Sequence, residues 1–96
     1  MVRFEWDPVK SGSNKKKHGI DFETAQLIFD DPHFVSFMDR ADRGEERWHA
    51  IGSIGGVLVI VVVHTYREQA GEEIIRLISA RRATSHERKL YGEAIG

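Results

Sequence analysis

Three short runs in this 96-residue chain join cations to groups that move protons: Lys17-His18, His64-Thr65-Tyr66-Arg67 and Ser79-Ala80-Arg81-Arg82. Cutting a ribose-phosphate backbone without a metal needs few groups. A base takes the proton of the 2′-hydroxyl, an acid protonates the leaving oxygen, and cations offset the charge growing on phosphorus. Imidazole is the side chain whose ordinary titration lies closest to neutrality. Arginine suits phosphate because its planar fork grips two oxygens at once. The same residues equally suit the charged ends of ordinary elements, where they shield sheet edges.

Other chemistries find less support. Five histidines (His18, His33, His49, His64, His86) never fall at His-x-x-x-His spacing, so no metal site and no cofactor is expected. There is no glycine-rich phosphate loop and no nucleophile elbow. Ser79 lacks a local partner, and zero cysteines exclude disulfides and a thiol nucleophile.

Elements that must carry these runs follow from patterning. A chain this short is expected to form one domain, residues 1–96, burying about 60–65% of the surface it exposes when unfolded. No apolar run reaches the ~18 residues of a membrane span. Met1 to Trp6 offers no apolar leader, so a cytoplasmic protein is expected. The net charge of −1 hides an uneven distribution. Lys10 and Lys15 to Lys17 make the beginning basic, acids crowd residues 21–46, and Arg76 to Lys89 is basic again. Folding could join the basic ends into a patch for a polyanion.

Val2 to Trp6 alternates as a short strand. Asp7-Pro8 reads as a turn or helix start, and Ser11-Gly12-Ser13 as a loop. Asn14 can cap a short helix, Lys15 to His18, that Gly19 ends; Asp21 can cap another, Phe22 to Phe29, with Phe22, Ala25 and Phe29 on one face widened by Leu27 and Ile28. The period then changes to two. Strands are expected at His33–Met38, at Arg47–Ile51, at Val57–Val63 (buried on both faces) and at Ile74–Ala80. A charged connection, Asp39 to Glu45 with Gly44, separates the first two, and Ser53 to Gly56 makes a hairpin turn. Thr84-Ser85-His86-Glu87 fits a capping box that opens a last helix bearing Leu90, Tyr91 and Ala94. The expected fold is α+β, β-α-α-β-β-β-β-α, an antiparallel twisted sheet with two N-terminal helices and a C-terminal one.

The run Phe4-Glu5-Trp6-Asp7-Pro8, with Lys10, Asn14, Lys17-His18-Gly19-Ile20, Phe22-Glu23 and Ala25, resembles the opening signature of the BrnT toxin family. The second half agrees: Gly44-Glu45-x-Arg47, Leu58-Val59-Ile60-Val61, Thr65-x-Arg67, Ile75 to Arg81, and Glu87-Arg88-x-x-Tyr91. The resemblance implies a RelE-like fold and a ribonuclease toxin of a bacterial type II toxin–antitoxin pair that blocks translation. It also implies a BrnA-type antitoxin from the adjacent gene. That partner's ribbon-helix-helix domain binds the operon's promoter, so the heteromeric complex is both inactive and a repressor.

On that reading Lys17 and His18 contact phosphate and transfer protons, and Arg67 and Arg81 bind the scissile or a neighbouring phosphate. Lys15, Lys16 and Arg82 add RNA-binding charge. Tyr66 and Trp48 are placed to stack on a base, although Trp48 reads better as core. A tight hairpin at Gln69 to Gly71 sets Arg81 opposite roughly Val59, on the order of 25 Å from Arg67. One catalytic centre cannot use both, so either one arginine serves a remote phosphate or the antitoxin, or the register differs; Arg81, which precedes the last helix and could meet the end of the first strand, is favoured over Arg67 for catalysis. A module that binds RNA or protein and cleaves nothing remains the other reading.

Overall fold

The computed structural model describes residues 1–42 and 45–95. The chain runs β1 (Val2–Glu5), α1 (Pro8–His18), α2 (Phe22–Ala25) continued by a 3-10 turn (Gln26–Asp30), β2 (Val35–Asp42), β3 (Glu45–Ile54), β4 (Leu58–Gln69), β5 (Glu72–Arg82) and α3 (Ser85–Ile95). All strands form one sheet in the order β1-β5-β4-β3-β2. From β2 to β5 the pairing is antiparallel, but β1 lies parallel to β5, with Glu5 beside Arg76. The sheet is therefore mixed, which corrects the expectation of an antiparallel sheet throughout. β1 and β5 are far apart in sequence and joined through helices and three strands, a connection long enough to permit parallel pairing.

Helix α1 is longer than its sequence suggests and absorbs Ser11-Gly12-Ser13. Asp7 rather than Asn14 caps it, Oδ1 accepting from the Val9 amide at 2.9 Å, with Pro8 in the first turn where no amide is missed. Ser13 turns its hydroxyl back to the Val9 carbonyl at 3.1 Å, which removes its pull toward a loop. Gly19 ends the helix at φ 77°, a left-handed value that a side chain would resist. Asp21 caps α2 through Thr24 N–H at 2.7 Å, as its position implied.

One core lies between the helices and the sheet. Phe22, Ala25 and Ile28 pack on Ala50, Ile60, Val62, Leu77 and Ala80, all essentially sealed from solvent. Burying each large aliphatic or aromatic side chain is worth about 1.5–3 kcal/mol. The buried stripe of the second helix is Phe22-Ala25-Ile28; Phe29 is half-buried and Leu27 points outward. The tighter 3-10 winding after Ala25 rotates the stripe in this way. A second, smaller cluster of Ile51, Val61 and Tyr91 lies on the opposite sheet face under α3. Strand β4 is buried over Ile60–Val62 and again at His64 and Thr65, while Val57 belongs to the turn and is 88% exposed. Gly55 and Gly56 supply that turn's positive φ values. β2 extends through the expected charged connection to Asp42, and Gly44 lies outside the described residues.

Candidate functional site

The bare edge of β5 places the first group of residues. β1 pairs only with Glu73–Arg76, so the edge beyond Arg76 has no neighbouring strand. Asn14, buried in the middle of α1, closes part of it. Its Nδ2 donates to the Ala80 carbonyl at 2.8 Å and to the Ile20 carbonyl at 2.7 Å, while Oδ1 accepts from the Ala80 amide at 3.2 Å. One turn further on, Lys17 and His18 meet the edge. With Lys10, Ser13, Asn14, Ile78 and Ser79 they line a cleft of about 250 Å³ that contains no acid. Among the described residues, Lys10, Lys15, Lys16 and Lys17 form no ion pair. Lys15 and Lys16 are exposed beside the cleft, and His18 is half-buried at its wall. Four basic residues in the last turn also suit the negative end of the helix dipole.

Arg81 lies two residues past Ser79 on the same strand, but it is already engaged. Glu87 of α3 takes both its terminal nitrogens, Nη1 to Oε1 at 2.7 Å and Nη2 to Oε2 at 2.8 Å. Bidentate pairs of this kind are among the stronger side-chain contacts. The Arg81 guanidinium holds the Glu87 carboxyl down to about 2, despite the burial that would raise it. The same carboxylate completes the capping box with Thr84. Arg82 is exposed at the strand's end.

Arg67 stands elsewhere. The observed register sets Arg81 opposite Val61, two residues from the expected Val59: the Ala70-Gly71 turn accounts for one residue and the bulge at Val63 and His64 for the other. Arg67 pairs with Ile74, seven residues of strand from Arg81, or about 23 Å. The two arginines do not share a site. It is Arg67, not Arg81, that meets the end of β1. Its Nη1 bonds Glu5 Oε1 at 2.8 Å, and Arg76 Nη1 approaches the same oxygen at 3.4 Å. The hydrogen bond from Arg67 leads in holding the Glu5 carboxyl below its usual range.

This second group occupies a fork in the sheet. The β3–β4 ladder ends at Trp48 and His64, yet β3 continues beside β2 to Glu45 and β4 continues beside β5 to Gln69. Thr65, Tyr66, Arg67 and Arg76, with Glu45 and Glu46, line a cleft of about 440 Å³ between the arms. Tyr66 is half-exposed, and its hydroxyl donates to Glu73 at 2.9 Å. On the sheet face opposite Tyr66, His49 Nε2 lies 3.4 Å from Asp39 Oδ2.

Sequence reasoning passed over Arg76, Glu5 and His49. Glu5 and Arg76 come together only through the pairing of β1 with β5, which no local pattern announces. The described residues hold no group of three or more histidines and acids placed to hold a metal ion. Nor is any helix long and apolar enough to cross a membrane.

The site thus sits on a small mixed sheet with α1 and α2 on one face and α3 on the other, and with basic side chains along β5. The chain belongs to the BrnT family: the family described as "Ribonuclease toxin, BrnT, of type II toxin-antitoxin system" matches residues 6–87. Among solved structures it is similar to the Brucella abortus ribonuclease toxin BrnT, with 28% identity and a TM-score of 0.65, over 88% of this chain and 100% of that one. Comparison with curated proteins gives no match.

Proposed function

We propose that this chain acts as one toxin domain, in the cytoplasm, on a RelE-like framework, and cleaves RNA without a metal at the cleft between α1 and β5. The observation that carries this is the cleft's charge: Lys10 and Lys17 flank His18 there with no carboxylate lining it. Arg67, Arg76 and Arg81, in contrast, are all held by glutamates. Uncompensated cations draw a phosphate, and an imidazole beside them moves the proton. The 2′-oxygen attacks phosphorus, the bond to the 5′-oxygen breaks, and a proton delivered there balances the one His18 takes. Lys17 offsets the charge on the phosphorane. Arg67 and Arg76 hold a neighbouring phosphate by exchanging Glu5 for it, Tyr66 stacks on a base, and Lys15, Lys16 and Arg82 widen the basic approach. Arg81 acts at one remove, fixing α3 to the end of β5.

The partner is a BrnA-type antitoxin with a ribbon-helix-helix domain. It covers Lys15–His18 with acidic and apolar residues, and the complex represses its own operon.

Purified protein is incubated with RNA, with and without chelator, beside His18→Ala, Lys17→Ala, Arg67→Ala and Arg81→Ala. Cleavage that survives the chelator, leaves 2′,3′-cyclic phosphate ends and collapses in His18→Ala supports the reading. Intact RNA, or cleavage only with added divalent ion, refutes it. RNA binding without turnover would make the protein a binding module.

A further inference from the structure

At the base of the fork, on the helix-bearing face of the sheet, Phe29, Phe34, Trp48, His64, Tyr66 and Ile75 line a pocket of about 360 Å³. That is the lower end of the range for small-molecule sites. Its walls are aromatic and mutually braced. Phe29 meets Phe34 at 5.4 Å and His64 at 5.1 Å between ring centroids, both edge to face. Tyr66 lines this pocket and the arginine cleft alike, so the two spaces are neighbours across one residue.

One polar group in this wall is unexplained by the fold. His64 is only 5% exposed. Its Nδ1 lies 3.2 Å from the Val62 carbonyl oxygen. A carbonyl can only accept, so Nδ1 carries the hydrogen and Nε2 keeps its lone pair. Burial lowers the tendency of the ring to gain a second proton. No described residue donates to Nε2. Nε2 is not among the sealed polar atoms that lack a partner, so it keeps an opening, and an occupant of the pocket that brings an N–H supplies the donor that the described residues do not.

We propose that this pocket is a nucleobase subsite, in which the aromatic rings hold the faces of one base and His64 Nε2 accepts a hydrogen bond from its edge. It rests on the RNA-cleaving reading and extends it. Arg76 and Ser79 are three residues apart on β5, about 10 Å. A strand passing from the Lys17–His18 cleft to Arg76 and Arg67 reaches the fork, and a base turned in past Tyr66 enters the pocket. Every nucleobase offers flat faces and an edge N–H, and stacking on aromatic side chains is worth roughly tenfold or more per base. An aliphatic side chain of a protein partner would satisfy the walls but leave Nε2 without a donor.

The test follows the His64 ring nitrogens by NMR while nucleoside monophosphates, and separately N-acetyltryptophanamide, are titrated into the whole protein. Ser36, an exposed residue at the pocket's rim, supplies the variants. A saturable shift of Nε2 with at least one nucleotide supports the subsite if Ser36→Phe weakens it tenfold or more and Ser36→Thr does not. No shift with any nucleotide, in protein that still cuts RNA, overturns the pocket and leaves the nuclease. Saturation by the tryptophan amide alone overturns it in favour of a protein anchor. A nucleotide shift in protein that cuts no RNA keeps the pocket and removes the nuclease reading.

Discussion

Asn14 and Ala80, 66 residues apart in sequence, pair as two strands would: the amide side chain donates to the Ala80 carbonyl and accepts from the Ala80 N–H. A side chain thus does the work of a missing neighbour at the β5 edge. Asn14→Ala leaves three main-chain groups buried without partners, and each such group costs about 1–3 kcal/mol. Some of that returns if water enters, so a loss of about 2–4 kcal/mol is expected in urea unfolding. A loss below about 0.5 kcal/mol, the range of ordinary surface changes, would show that the contact is dispensable.

Acid should loosen the attachment of α3. Two carboxyls there titrate low. Glu87 is held down to about 2, chiefly by Arg81. Asp31 reaches about 2 because bonds from Tyr91, Ser53 and His33 outweigh the burial that would raise it. Both pKa values fall on folding, so their contribution is complete above the unfolded values and is lost as pH drops toward 2. Tm should begin to fall below about pH 5 and keep falling to about pH 2. Glu87→Gln and Tyr91→Phe should each flatten that decline. An unchanged slope in both would separate these groups from acid unfolding.

Activity and stability should part at the α1–β5 cleft. Lys17 is exposed, so Lys17→Ala should leave Tm nearly unchanged while slowing cleavage at least tenfold. His18→Ala should cost about 10²–10⁴-fold. Cleavage within twofold of wild type in both variants would move the chemistry elsewhere.

Arg67 and Arg76 test the fork. Their pairs with Glu5 are open to solvent, and such pairs are worth about 0–1 kcal/mol. Arg67→Ala and Arg76→Ala should therefore fold normally and bind RNA more weakly, each with a shallower dependence of affinity on salt. Undiminished affinity in the double variant would assign the arginines to β1 docking alone. The converse measurement is Arg81→Ala, which should lower stability by about 1–3 kcal/mol because it frees Glu87; a drop in cleavage without that loss would return Arg81 to the chemistry.

How much of this was legible depended on distance along the chain. The capping box at Thr84 and Glu87, the Gly19 stop and the Gly55-Gly56 turn are local bargains between neighbouring residues, and each reads directly. The parallel seating of β1 does not, because nothing within Val2–Glu5 states which strand it joins. Asn14 looks locally like a cap for the same reason: its partner lies on β5, beyond any local window. The Ala70-Gly71 turn and the bulge at Val63 and His64 each shift the register by one residue, which carries Arg81 from Val59 to Val61. Lys17 and His18 were found as a run, but the acid-free wall around them is a property of the assembled edge.

The α1–β5 cleft also has a consequence for synthesis. One wall comes from residues 10–18 and the other from Ile78 and Ser79. A ribosome that has made the first three-quarters of this protein has produced every lysine of the cleft and none of its opposite side. The two-walled cleft thus comes into being only near the end of translation, when β5 emerges and β1 and α1 can close on it, and a truncated product carries the charge without the cleft.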